Sequence, residues 1–159
     1  MEVAVVLPNI RSAHNVGSIF RTADAAGVSR IYLSGYTPRP LDRFGRPDKT
    51  LAKTALGAEA SVPWEYVRDP AKLIAKLRAA RWRIVGVEQD ERARHYHALE
   101  SKGRIALVFG NEVRGLSPRL RAQCDELIEI PMSGTKESLN VSVCAGVALF
   151  SLRDAGRRR

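Results

Sequence analysis

Continuous apolar runs recur along the chain and predict strands. Residues 3–7 end at Pro8 and residues 105–109 end at Gly110, which is typical of strands buried on both faces of a parallel sheet. Pro63 would place another strand at an edge, because proline cannot donate a hydrogen bond to a neighbouring strand. The pattern predicts strands over residues 3–7, 30–34, 61–67, 83–87, 105–109 and 127–130.

Amphipathic segments separate these runs. Val16, Ile19 and Phe20 recur at helical spacing, and Asp69 followed by Pro70 is a typical helix start. Helices are predicted over residues 15–26, 49–56 and 140–152, and from residues 69 and 117 onward. Alternating strands and helices predict a single α/β domain over residues 1–159, with a mainly parallel sheet flanked by helices.

Three polar loops follow strands in this pattern. They cover residues 8–15, 110–115 and 131–138, and are named here the first, second and third loops. Together they carry glycine, amide, hydroxyl and charged side chains. Ligands of open α/β sheets bind at the carboxyl ends of strands, so we expect the three loops to meet in one site.

Positive charge exceeds negative charge, with 26 Lys and Arg against 17 Asp and Glu and a net charge of +9. This balance favours a polyanionic partner, although a basic solvated surface explains it equally well. Cys124 and Cys144 are too few for a disulfide framework, so we expect buried thiols. No run approaches membrane-spanning length, and no signal peptide or Cys/His cluster is visible. We expect a cytoplasmic protein that uses neither membrane nor metal.

Three long motifs resemble those of one enzyme family. They are NIRSAHNVGSIFRTADAAGV from residue 9, ALVFGNEVRGLS from residue 106 and IEIPMSGTKESLNVSVCAGVALF from residue 128. Their order and spacing resemble SpoU-type (TrmH-like) RNA 2′-O-ribose methyltransferases of the SPOUT superfamily. The resemblance covers about residues 3–152, although residues 41–100 match only loosely.

The resemblance implies a fold, a reaction and partners. The α/β domain would carry a deep trefoil knot over about residues 105–153. S-adenosylmethionine (SAM) would donate a methyl group to the ribose 2′-hydroxyl of a nucleotide in tRNA or rRNA. The family generally acts as a homodimer with active sites at the interface. Small stand-alone members often modify tRNA, so we expect tRNA slightly ahead of rRNA.

The resemblance also implies catalytic residues, each with a simpler structural alternative. Arg21 matches the family's catalytic arginine; it would act as a base or, because arginine stays protonated, as a cation stabilising developing negative charge. Asn15 would serve the reaction or cap the helix that it begins. Glu112 would hold Arg21 or balance the sulfonium, or it is an exposed loop carboxylate. Ser138 and Asn140 would position reacting groups, or act in a turn and a helix cap.

Cofactor and RNA contacts complete the implied site. Backbone groups near Gly110, Ile130 and Leu139 would hold SAM, together with Phe109 and Met132. Arg11 and Arg114 would grip RNA phosphates, or they are solvated surface arginines. A non-catalytic RNA-binding module of the same fold is the main alternative. An unrelated nucleotide-binding enzyme has no support, because neither a GxGxxG after the first strand nor a P-loop is present.

Overall fold

Seven strands form one parallel sheet within residues 1–157, the part of the chain that this computed structural model describes. The predicted domain of residues 1–159 extends two residues beyond this part. Along the sheet the order is β3-β2-β1-β6-β4-β7-β5, and every registered pair is parallel. The strands are β1 (Glu2–Pro8), β2 (Arg30–Ser34), β3 (Trp64–Val67), β4 (Arg83–Val87), β5 (Arg94–His95), β6 (Arg104–Phe109) and β7 (Glu126–Glu129).

Helices cover both faces of this sheet, which confirms the predicted architecture. Val3, Val5 and Leu7 of β1 face one apolar layer, whereas Ala4 and Val6 face the other. The described α-helices are α1 (Ala13–Ala25), α2 (Lys49–Ala55), α3 (Ala58–Ser61), α4 (Pro70–Ala79), α5 (Pro118–Gln123) and α6 (Val141–Arg157), and a short 3₁₀ helix covers Tyr96–Ala98. Helices α1, α2, α3 and α6 contribute buried residues to the first layer, and α4 and α5 to the second.

The predicted strands are all present, and β3 lies at the edge as Pro63 predicted. However, β3 begins at Trp64 rather than at residue 61, because Ser61 ends helix α3. Strand β5 was missed, because it has only two residues and its pairing with β7 defines it. Helix α1 begins before Asn15, since the Ser12 side chain accepts a hydrogen bond from the Asn15 N–H at 3.1 Å. The predicted capping role of Asn15 is therefore wrong, and Ser12 is the cap.

Helices α1 and α2 approach very closely at Gly17. A Cβ atom at this position would lie 2.0 Å from Thr54 Oγ1 and 2.2 Å from the Leu51 carbonyl oxygen. Such separations are far inside van der Waals contact, so this crossing requires a residue without a side chain. Helix α1 carries both Asn15 and Arg21, and α2 lies against its middle turns.

The C-terminal segment contains β6, α5, β7 and α6, and it includes residues 105–153, for which a trefoil knot is predicted. The knot stays a prediction. Each helix within residues 1–157 falls short of the length or apolar character that crossing a bilayer requires.

Candidate active site

The strand order brings the second loop to the middle of the sheet's carboxyl edge. Strand β6 lies between β1 and β4, and β4 pairs with β7. The loops after these strands therefore meet, as expected for ligand sites of parallel sheets. Between them is a cavity of about 280 Å³, named here the central cavity, lined by residues 87–89 and by parts of the second and third loops. Its size is near the lower end of the roughly 300–1,000 Å³ typical of small-molecule sites.

All five residues predicted to hold the cofactor line the central cavity. They are Phe109, Gly110, Ile130, Met132 and Leu139. Glu112, Ser138 and Arg114 from the other predicted sets also line it. Within the described chain, three carboxylates (Glu88, Glu112 and Glu137) and one arginine face this cavity. In a chain of net charge +9, this local excess of acid favours a cationic group in the cavity.

The second loop is rigid because its own polar groups close it. Asn111 Oδ1 accepts hydrogen bonds from the N–H groups of Val113 at 2.9 Å and Arg114 at 3.0 Å. The backbones of Asn111 and Gly115 also pair in both directions. A Cβ atom on Gly110 would lie 2.4 Å from the carbonyl carbon of Gly115, so glycine is required where the loop folds back on the strand end.

Glu88 and Gln89, which are not among the site residues predicted from the sequence, lie at the end of β4 and line the cavity. Glu88 Oε2 accepts a hydrogen bond from the Leu116 N–H at 2.6 Å. Gln89 Nε2 donates to the Ile130 carbonyl oxygen at 2.9 Å. The detectable signal was a carboxylate and an amide directly after a buried strand. Because the residues up to 102 are also polar, the sequence did not distinguish Glu88 and Gln89 from the rest of this stretch.

One hydrogen-bond network joins three predicted catalytic residues. Glu112 Oε1 accepts from the Ser12 N–H at 3.1 Å and from Asn15 Nδ2 at 3.4 Å, and its Oε2 accepts from the Arg11 N–H at 3.0 Å. Asn140 Nδ2 donates to Asn15 Oδ1 at 3.2 Å. Asn15, which is 8% exposed, therefore links the second loop to the start of α6.

The ionised form of Glu112 is favoured in this network. Partial burial alone would raise its pKa. Hydrogen bonds from the backbone of Arg11, Glu112 and Ser12 and from the Asn15 amide outweigh burial, so the pKa of Glu112 is lowered. The carboxylate is consequently charged at neutral pH and fixes the first loop against the second.

Asn140 also serves as the predicted helix cap. Its Oδ1 accepts from the Ser142 N–H at 2.8 Å and from the Ser142 hydroxyl at 2.6 Å, while its carbonyl accepts from the Cys144 N–H. Cys144 follows on the next turn and lines the central cavity. Burial and the charge of Glu88 raise the pKa of the Cys144 thiol to about 11, so it is protonated at neutral pH. Both cysteines are free thiols, as predicted, but each is partly buried rather than fully buried.

The structure does not bring Arg21 to these groups. Arg21 lines a separate groove with Lys53, Leu56 and Phe150, and Glu112 instead accepts from residues 11–15. Asn15 and Arg21 are six residues apart on α1, which is about 9 Å along the axis and a different face. Two large apolar side chains border the groove, with Leu56 65% and Phe150 46% exposed.

Fold and site together define a parallel α/β domain with a small-molecule cavity at the carboxyl ends of its strands. The sequence profile of the "SpoU rRNA Methylase family" matches residues 2–150. The chain belongs to this family, which confirms the resemblance.

Similar proteins come from several bacteria. The chain is 38% identical over 146 residues to 23S rRNA (guanosine-2′-O-)-methyltransferase RlmB of Ralstonia nicotianae, covering 92% of this chain and 56% of that one. The same protein of Escherichia coli is also 38% identical, with 92% and 57% covered. The chain thus spans just over half the length of these relatives.

Solved structures agree with the fold. An AdoMet-bound rRNA methyltransferase from Sinorhizobium meliloti superposes with a TM-score of 0.87 at 30% identity, covering 96% of this chain and 56% of that one. A TrmH/SpoU tRNA modifying enzyme from A. aeolicus has a TM-score of 0.86 at 26% identity, with 99% and 76% covered.

Proposed function

We propose that this protein transfers a methyl group from SAM to the ribose 2′-hydroxyl of a nucleotide in RNA, with rRNA as the favoured substrate. The observation that carries the proposal is the central cavity, on which the second and third family motifs converge. The curated relatives are 23S rRNA (guanosine-2′-O-)-methyltransferases, which favours rRNA and a guanosine target over the tRNA expected from the sequence. The second substrate to assay is tRNA, because the similar A. aeolicus structure is that of a tRNA modifying enzyme.

The lining of the central cavity fits SAM. Phe109, Ile130 and Leu139 offer apolar surface for an adenine ring, and Glu88 and Glu137 offer carboxylates for a cationic ligand. When bound, SAM supplies a methyl group already activated on a sulfonium. The Sinorhizobium meliloti neighbour was solved with AdoMet bound, which supports this choice.

The protein's own contribution is alignment and control of charge. The Glu112–Asn15–Asn140 network fixes the starts of α1 and α6 beside the cavity. Arg21 would bind the phosphate next to the target ribose and stabilise the negative charge that develops on the 2′-oxygen. A protonated guanidinium suits this electrostatic role better than that of a base.

A homodimer would bring Arg21 and the central cavity together in one active site. Within one chain Arg21 lies in the groove beside Leu56 and Phe150 rather than in the cavity. Exposed apolar side chains around a functional arginine favour a protein interface there. We infer that pairing of two subunits carries Arg21 of each subunit to the cavity of the other. An RNA substrate also agrees with the cytoplasmic location expected from the sequence.

Methyl transfer from labelled SAM to rRNA tests the proposal. Arg21→Ala should reduce transfer at least about 100-fold, as expected for the loss of transition-state charge stabilisation, without changing SAM affinity in a calorimetric titration. Arg81→Asn is the matched control: it removes an exposed arginine just before β4, at the opposite edge of the sheet. Asparagine tolerates the left-handed backbone of residue 81, whose φ is 61°. Full activity of Arg21→Ala would remove Arg21 from the mechanism.

Mixed dimers test the sharing of sites. Leu139→Arg would fill the central cavity with a cation, and Leu139 is exposed enough (39%) for the fold to survive. Mixed with Arg21→Ala, it should restore about a quarter of wild-type activity, since half of the dimers are hybrids with one intact site. No restoration despite subunit exchange would place both residues in one subunit's site. Failure of wild type to bind SAM would favour the non-catalytic RNA-binding module.

A further inference from the structure

The segment between β2 and α2, residues 35–48, displays two aromatic rings to solvent. Phe44 is 66% exposed and Tyr36 is 61% exposed. Folding ordinarily buries rings of this size, because each carries a large apolar surface. Their exposure in one short segment therefore marks a surface built for contact. This segment is named here the aromatic loop.

A tight turn holds Phe44 outward. The Asp42 carboxylate accepts hydrogen bonds from the Phe44 N–H at 2.8 Å and the Arg46 N–H at 3.0 Å, and from Arg46 Nε at 2.7 Å. The Asp42 N–H donates to the Arg46 carbonyl, and Gly45 closes the turn with a φ of 76°. The ring is thus preorganised on a closed turn, which lowers the entropy lost when it binds a partner.

Guanidinium groups of the aromatic loop lie over Phe44 and over Tyr66, a half-buried ring of β3. Those of Arg43 and Arg46 lie 4.7 and 5.0 Å from the centroid of Phe44, and that of Arg39 lies 4.1 Å from the centroid of Tyr66. Arg39 and Arg43 form no salt bridge with the described residues. The two carboxylates of the loop are engaged, since Asp42 closes the turn and Asp48 caps α2. The free charge of the aromatic loop is therefore positive.

The aromatic loop is continuous with the active site. The Tyr36 hydroxyl accepts a hydrogen bond from Asn111 Nδ2 at 3.0 Å, and the Tyr36 N–H donates to Asn9 Oδ1 at 3.3 Å. Asn111 lines the central cavity. A second cavity, of about 450 Å³, lies between Tyr36, Arg39, Arg46 and Tyr66. A strand of RNA leaving the central cavity past Asn111 would meet Tyr36 first and then the turn that bears Phe44.

We propose that Phe44, with Arg39 and Arg43, forms a platform on which an unpaired base of the RNA substrate stacks beside the methylated nucleotide. Aromatic and guanidinium planes stack on any base, and nearby arginines hold the backbone phosphates. The proposal rests on the proposed function for the choice of RNA. It adds that the substrate is recognised as single strand at this position.

Fluorescence anisotropy with a fluorescein-labelled ten-nucleotide oligouridylate RNA tests the platform directly. Phe44→Ala should weaken binding about 5- to 150-fold, which corresponds to the loss of one stacked base. Phe44→Leu should weaken it nearly as much, because leucine is apolar but has no π-face, whereas Phe44→Trp should bind at least as well as wild type. A blunt-ended duplex RNA of equal length should bind all four proteins alike.

Salt dependence tests the arginines. Replacing Arg39 and Arg43 with alanine should flatten the slope of log K against log salt by about 0.7 for each phosphate that the protein no longer neutralises. Arg81→Asn, which removes a distant exposed arginine, should leave both slope and affinity unchanged. An equal flattening of the slope in Arg81→Asn would mean that net charge alone governs binding, and it would overturn the assignment of the two arginines.

The RNA measurements are made without SAM, so they decide the platform even if methyl transfer is absent. Thermal melts should show Phe44→Ala to be as stable as wild type, because the ring is exposed, and its SAM affinity should not change. Unaltered oligouridylate affinity in Phe44→Ala would refute the platform. Loss of self-association in sedimentation, with RNA affinity intact, would equally overturn it and make the ring a protein contact.

Discussion

Gly17 lies at the crossing of α1 and α2. Its replacement by alanine has two opposite effects on stability, a gain in helix propensity and a clash with the neighbouring helix. In a helix interior alanine is favoured over glycine by about 1 kcal/mol. At this position, however, the added Cβ would lie 2.2 Å from the Leu51 carbonyl oxygen and 3.1 Å from the Ala55 nitrogen. Both obstacles are backbone atoms, which move only if the whole helix α2 moves.

The expected net effect of Gly17→Ala is destabilising. Overfilling a closely packed site costs about 1–3 kcal/mol. Thr54 Oγ1, which would lie 2.0 Å from the Cβ, must also rotate away from its hydrogen bond to the His14 carbonyl at 2.9 Å, at a cost of about 1 kcal/mol. After subtraction of the propensity gain, the free energy of unfolding should fall by about 2 kcal/mol. In a domain of this size that lowers Tm by about 4–8 °C.

Gly146→Ala in α6 is the matched control. Its Cβ would meet only Thr22 Cγ2 at 3.7 Å, which is ordinary van der Waals contact. Only the propensity gain remains, so Tm should rise by about 2–4 °C. Thermal melts followed by circular dichroism measure both variants under one set of conditions. If Gly17→Ala were as stable as wild type, or if both variants moved in the same direction, the proposed role of the helix crossing would be refuted.

Two further predictions follow from the lowered pKa of Glu112 and the raised pKa of Cys144. Folding lowers the pKa of Glu112, so the ionised side chain stabilises the folded state. This stabilisation is present above the unfolded-state pKa of about 4.3 and is lost as pH falls through the folded-state pKa. Glu112→Gln should lower Tm at pH 7 by a few degrees, because a neutral amide forms weaker hydrogen bonds with the N–H groups of Arg11 and Ser12. It should also make Tm fall less as the pH is lowered. Thermal melts between pH 2.5 and 7 measure this dependence, and an unchanged dependence would contradict the prediction. With a pKa of about 11, Cys144 should react with iodoacetamide far more slowly at pH 7.5 than an exposed cysteine. Rapid labelling, read by mass spectrometry, would count against its partly buried, protonated state.

Local sequence determined most of the secondary structure. The predicted bounds of β2 and β4 agree with the structure to the residue, and α2 and the start of α4 agree closely. Apolar runs, caps and breakers act over a few neighbouring residues, so the chain shows them directly. The second and third family motifs likewise identified most residues of the central cavity, because each motif is a short contiguous segment.

Other features required the tertiary structure. Sequence did not place β6 between β1 and β4, and this order is what centres the second loop on the cavity. Glu88 follows β4 in a loop, and only the folded chain shows that it accepts a hydrogen bond from the distant Leu116 N–H. Strand β5 exists only through its pairing with β7.

The positions of Asn15 and Arg21 show why local pattern is insufficient. Both residues lie on α1 and match one motif, yet Asn15 bonds Glu112, 97 residues away, whereas Arg21 faces the groove beside Phe150. Sequence determined the residues and the helix that carries them. Which partner each one meets depends on how distant strands pair and which helix face turns inward, and only the folded chain decides those long-range contacts.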